Sequence, residues 1–252
     1  MVYMLISSYV AEYTRQISMW KHLLSLALLL AVVACGRQQA NPLNKNSHTD
    51  TSVQGVVLRD VPATVDTKAR YLFYLHGRII ENQGIRPTDP RYGVYEYEEI
   101  LKALASRGFA VISEARAKDT DVNQYAPKVV QQVNTLISAG VPPSHITVLG
   151  ASKGALIAMR VSTLLRNKDV NFVIMSNCND WVDQNFQIDL YGNVLSIYDV
   201  KDEFGQTCQK FFDKAHGLNR HNEIVLKVGI GHAILYRPLK EWIDPAVEWA
   251  KQ

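Results

Sequence analysis

The sequence predicts an α/β fold: a mostly parallel central sheet with helices on both faces and no large cap domain. Short runs of β-branched and aromatic residues are almost continuously apolar, the pattern of strands buried on both faces. Stretches with helical apolar spacing lie between them, so strand and helix alternate and the crossovers are right-handed. Only about fifteen residues separate the run ending near Asn177 from the one starting near Val194, too few for a large cap.

Taken in order, the chain opens on a segment unlike the rest. Lys21 and His22 precede LLSLALLLAVVA (23–34), shorter than a comfortable membrane span but the right length for a signal-peptide core. The run ends in VVAC, a small residue before Cys35. This stretch resembles the lipobox of bacterial lipoproteins, in which the cysteine is lipidated and becomes the mature N-terminus. The resemblance implies a membrane anchor at Cys35 in the bacterial cell envelope. Gly36, rather than Asp, then favours the outer membrane, facing the periplasm. An unprocessed signal or N-terminal membrane helix with a free cysteine is the other reading. MVYMLISSYVAEY has no early positive charge and contains Glu12, whereas MWKHLL reads as a normal signal start, so translation is expected to begin at Met19. The expected organisation is 1–34 as upstream residues and signal peptide, 35–55 as lipidated cysteine and polar tether, and 56–252 as one folded domain.

Within that domain GVVLRDV (55–61) is a candidate edge strand. The principal strands are YLFYLHG (71–77), FAVISEA (109–115), ITVLGA (146–151), VNFVIMSN (170–177), VLSIYD (194–199) and EIVLKVG (223–229). The helix over 94–108 has Tyr97, Ile100, Leu101 and Leu104 on one face and stops at Gly108. That over 125–140 carries the stripe Val129, Val130, Val133, Leu136 and Ile137 and ends at Gly140 before Pro142. Helices over 153–167, 205–217 and 237–252 complete the set, the last interrupted near Pro245.

Composition narrows the partners. With 47% hydrophobic and 20% charged residues the body of the chain is that of a globular protein. The net charge of +3, from 27 basic and 24 acidic residues, is too small and too dispersed to indicate a nucleic acid partner. No His and Cys spacing suggests a metal site, no phosphate loop is present, and no cofactor is expected. Oligomeric state is open.

Chemistry in a parallel sheet collects at the carboxyl ends of the strands. Those ends carry His76-Gly77-Arg78, then Glu114 and Arg116, Ser152, Asn177 to Asp180, Asp202 and His232. Ser152 stands in Gly150-Ala151-Ser152-Lys153-Gly154, between a strand and a helix. Taken alone, this could be an ordinary hydroxyl in a glycine-bearing turn.

With the other strand ends in this order, 56–252 resembles the α/β-hydrolase family. The resemblance implies a Ser-acid-His triad acting on an acyl substrate, and the absence of a large cap suggests an accessible site for a small or medium carboxylic ester. Ser152 would be the nucleophile on its elbow, and His232, in the glycine-flanked loop VGIGHAILYRP, the base. His22 falls in the signal, His48 in the tether and His145 at the opposite sheet edge; His216 and His221 fit a helix end and a loop. Asp202 is favoured as the acid over Asp199, with Glu203 last. The oxyanion donors would be the backbone N–H groups of Arg78 and Lys153, with His76 in a structural role beneath. Tyr95, Trp181, Tyr198 and Phe204 are candidate lining residues, although core packing serves each as well. A serine peptidase is one rival; a non-catalytic envelope lipoprotein using the fold as a binding surface is another.

Two cysteines remain after lipidation. An exported protein meets an oxidising compartment, so Cys178 and Cys208 form a disulfide candidate close to the site, two free buried thiols being the alternative.

Overall fold

The computed structural model describes residues 55–252. The start at Met19, the signal peptide, Cys35 and the tether as far as residue 54 lie outside the described residues.

Seven strands form one sheet: β1 (Val57–Leu58), β2 (Arg70–Leu75), β5 (Phe109–Ile112), β6 (Ile146–Ala151), β7 (Asn171–Met175), β8 (Tyr191–Asp199) and β9 (Gly217–Leu226). Their order is β1-β5-β2-β6-β7-β8-β9, and every ladder is parallel. Two further strands, β3 (Thr88–Asp89) and β4 (Gly93–Val94), make a small antiparallel pair. The helices are α1 (Arg78–Gln83), α2 (Tyr97–Ala105), α3 (Val122–Ser138), α4 (Lys153–Leu165), α5 (Asp180–Asn185), α6 (Gln209–Asp213) and α7 (Lys240–Lys251). Short 3₁₀ turns cover Pro143–His145 and Gly231–Tyr236.

Strand side chains alternate between two apolar layers, as a pleated sheet requires. Tyr71, Phe73 and Leu75 of β2 face a core shared with α3, α4 and α6. Leu72 and Tyr74 face the other, shared with α1, α2 and α7. Both layers are closed to water, which explains why the strands read as unbroken apolar runs. The architecture is α/β-hydrolase-like, with a parallel central sheet and helices on both faces.

The chain leaves β2 toward β5 and leaves β6 toward β7, in opposite directions along the sheet. Adjacent strands with diverging connections open a crevice beyond their carboxyl ends. Gly77 and Arg78 follow β2 at that crevice, and Ser152 follows β6.

Several elements differ from the sequence reading. β9 begins six residues earlier, pairing Gly217 with Tyr191, and the helix expected over 205–217 contracts to α6. Gly217 permits this pairing because a Cβ there would lie 1.9 Å from the Tyr191 ring. His221 is consequently on β9, against the Phe212 ring at 4.6 Å, rather than in a loop. α7 runs through Pro245 without interruption. The carbonyl that Pro245 leaves without a donor belongs to exposed Glu241, within reach of solvent. The strand pair β3–β4 takes the start of the helix expected over 94–108, and α1 and α5 were not anticipated. Among the described residues no helix is long and apolar enough to cross a membrane.

Candidate active site

One residue separates β6 from α4, and it is Ser152, with φ 53° and ψ −120°. A side-chain-bearing residue there costs about 1–3 kcal/mol, so the surroundings must hold it. Its N–H donates to Met175 O at 3.0 Å, and its carbonyl accepts from Ala155 and Leu156 at 2.8 and 3.3 Å. The flanking glycines let α4 come this close. A Cβ on Gly154 would lie 1.8 Å from Leu75 O, and one on Gly150 2.2 Å from Gly154 O. Both are backbone contacts that no side chain could relax.

His232 lies in the 3₁₀ turn that follows β9. Its Nε2 is 3.1 Å from Ser152 Oγ, and its Nδ1 is 3.1 Å from each oxygen of Asp202. Asp202 Oδ1 also accepts the N–H groups of Phe204 at 2.9 Å and Gly205 at 3.0 Å. Burial pushes the Asp202 carboxyl up. The His232 hydrogen bond and charge, with the Phe204 N–H, outweigh that and hold it below the usual aspartate value. The structure thus links Ser152, His232 and Asp202 in one hydrogen-bonded chain.

The two other candidate acids point elsewhere. Asp199, fully buried, accepts Lys201 and Gly231 N–H on Oδ1, both at 3.0 Å, and Gly229 N–H on Oδ2 at 2.9 Å. It fastens the end of β8 to the loop that delivers His232. Glu203 is exposed and meets Arg91 and Tyr92 at 3.1 and 2.9 Å.

Arg78 and Lys153 are the first residues of α1 and α4, positions whose N–H groups have no partner within the helix. The two turns are in contact, since a Cβ on Gly77 would lie 3.6 Å from Ser152 Cβ. His76 is buried beneath. Its Nδ1 donates to Gly77 O at 2.8 Å and its Nε2 accepts Arg116 N–H at 2.9 Å, which specifies the neutral ring. Burial, reinforced by the Arg116 charge, lowers its pKa to about 3.

A cleft of about 760 Å³ opens over Ser152, between walls that include Arg78, Leu156, Asn177, Trp181, Phe204 and Tyr236. Phe204 packs edge-on against His232 at 5.0 Å. Tyr95 also lines the cleft; Tyr198, expected there, does not. A disulfide joins Cys178 to Cys208. Near it Gln206 N–H donates to Cys178 O and Asn179 Nδ2 to Phe204 O, both at 2.8 Å, so the segment after β7 is strapped to the loop bearing Asp202. His145 precedes β6 at the far edge of the sheet, and exposed His216 bonds Asp189. Among the described residues no three His, Cys, Asp or Glu side chains gather as metal ligands.

Sequence reasoning gave Glu81 no role, yet its carboxylate is buried between Arg116 and Lys153. Arg116 carried a signal, its place at the end of a strand. Glu81 carried none, since α1 itself was unread.

No protein-family model matches the chain. No curated protein matches it either. Solved structures are similar at low identity. SOBER1 of Arabidopsis thaliana is 14% identical over 73% of this chain and 98% of its own, with a TM-score of 0.48. Est1E of Butyrivibrio proteoclasticus, solved with ferulic acid bound, is 14% identical over 76% of this chain and 90% of its own, with a TM-score of 0.49. An arylesterase is 14% identical over 76% of this chain and 77% of its own, with a TM-score of 0.46.

Proposed function

We propose that this protein is a serine hydrolase acting on a small or medium carboxylic ester, or a similar acyl group, through an acyl-enzyme. The observation that carries the reading is His232, which lines the cleft with Ser152, bridging Ser152 Oγ and the Asp202 carboxylate. A serine hydroxyl is a weak nucleophile at neutral pH and needs a base within hydrogen-bond reach. As Oγ bonds to the acyl carbon, its proton passes to His232 Nε2 and the carbonyl electron pair moves onto oxygen. The N–H groups of Arg78 and Lys153 stabilise that oxygen. Asp202 accepts Nδ1–H, fixes the tautomer and offsets the imidazolium charge. Collapse expels the alcohol, which takes the proton from Nε2. Water then attacks, giving its proton to His232, and the acid leaves as Ser152 regains its hydrogen.

Labelling with a fluorophosphonate, together with hydrolysis of short-chain p-nitrophenyl esters, tests this. Wild type should react on both counts, and Ser152→Ala should lose labelling and roughly 10⁴-fold or more in kcat. A well-folded wild type that does neither would be a binding protein on a hydrolase scaffold. Faster cleavage of peptide amides than of esters would make it a peptidase.

We further infer that Cys35 is lipidated and anchors the protein in the bacterial envelope, at the periplasmic face of the outer membrane. Wild type should incorporate radiolabelled palmitate in a bacterial host and Cys35→Ala should not. Absence of label from the wild type would refute the anchor.

A further inference from the structure

Behind the two N–H groups assigned to the oxyanion lies a charge cluster that the Ser152–His232–Asp202 chain does not use. Glu81 stands on α1, one turn beyond Arg78, with its side chain fully buried. Its Oε1 accepts Arg116 Nε at 2.8 Å and its Oε2 accepts Lys153 Nζ at 2.5 Å. Arg116 is also fully buried; its Nη2 donates to His76 O, and its backbone N–H to His76 Nε2. Lys153 follows the serine directly, and its side chain is only 11% exposed.

The cluster therefore touches the three segments that hold the oxyanion donors. Arg116 grips the turn leading to Arg78, Glu81 grips α1, and Lys153 grips the elbow. The Glu81–Lys153 pair joins α1 to α4 across the crevice, so the spacing of the two N–H groups is set by side chains as well as by the sheet. Two cations share one carboxylate, which leaves a net positive charge in a water-poor place where its field is weakly screened. A buried ion cluster is a poor source of stability, because desolvation offsets the attraction. Its position here points to another role.

We propose that Glu81, Arg116 and Lys153 form a positioning device for the oxyanion site, holding the Arg78 and Lys153 amides at a working separation and placing positive charge behind them. This rests on the hydrolase reading and deepens it. The side chains touch no substrate in this scheme; they act through backbone donors whose load grows as the oxyanion forms. Loss of the device should therefore appear in kcat and leave KM alone.

Lys153→Met in the full chain is the informative variant. It keeps the Lys153 N–H and leaves Glu81 with Arg116 as a balanced pair, so no uncompensated buried charge is created. On a p-nitrophenyl ester its kcat should fall on the order of 10-fold with KM within about 2-fold of wild type. Affinity for a trifluoromethyl ketone, which forms a tetrahedral adduct on the serine, should fall by the same factor. Lys153→Arg, which restores a donor to Glu81, should recover most of the lost turnover. Glu81→Gln, where folded, should combine with Lys153→Met in a loss smaller than the product of the two separate losses. Unchanged kcat, a rise in KM alone, or no recovery in Lys153→Arg would overturn the proposal while the hydrolase reading stands. A wild type that the fluorophosphonate does not label overturns that reading, and the positioning role with it.

Discussion

Lowering the pH from 7 to 5 should destabilise the wild type by about 2 kcal/mol more than it destabilises His76→Gln. His76 is fully buried, with Nδ1 donating to Gly77 O and Nε2 accepting from the Arg116 amide. Burial away from water, reinforced by the Arg116 charge beside the ring, lowers its pKa from 6.5 to about 3. In the unfolded chain the same ring protonates near its ordinary value. Between those two values the unfolded state binds the extra proton and the folded state does not, so stability is full above about pH 6.5 and falls as the pH drops toward 3. At pH 5 the unfolded ring is about 97% protonated and the folded ring is not, which is worth about 2 kcal/mol. Glutamine supplies one donor and one acceptor and takes up no proton. His145 is also held low, by burial and by Arg70, but it contributes to both proteins and cancels. Urea unfolding of wild type and His76→Gln at pH 7 and 5 measures the double difference. Equal losses in the two proteins would refute the neutral, buried assignment of His76.

Asp199→Ala strips three backbone N–H groups of their acceptor and should cost about 3 kcal/mol in urea unfolding, with slower turnover as the His232 loop loosens; unchanged stability would remove Asp199 from its fastening role. Ser152→Gly relieves a residue held at φ 53° and should raise the stability of the fold by about 1 kcal/mol in thermal unfolding while abolishing labelling. A destabilised Ser152→Gly would show that the elbow is not strained. Replacing Cys178 and Cys208 together by serine opens a 30-residue loop and should cost about 3–4 kcal/mol on the loop-entropy model. Denatured, unreduced wild type should show neither thiol to Ellman's reagent, and two titratable thiols would contradict the bridge.

The elbow was legible because all its requirements are local: two glycines where a strand and a helix touch, and one serine between them. The sheet was legible because strands buried on both faces have no polar alternation, and β2, β6 and β7 declare themselves in that way. Short elements were not. α1, α5 and the β3–β4 pair span two to six residues each, too few for any period to register, and they form because the crevice and its rim hold them. Tyr198 is a candidate lining residue by its aromatic character, but it sits on β8 outside the cleft, and its place in the strand decides which way it faces.

The sequence by itself determined the alternation of strand and helix, the strained serine turn, and the set of strand ends from which any site must be built, since each of these follows from residue size and spacing within one short segment. Only the tertiary structure decided which of three neighbouring acids meets His232. Asp199, Asp202 and Glu203 are equivalent in charge and nearly so in sequence. What separates them is that the loop N–H groups of 201, 229 and 231 have already taken Asp199, and that solvent, Arg91 and Tyr92 hold Glu203. The buried Glu81 was likewise decided in space, because its two cations come from segments 35 and 72 residues away.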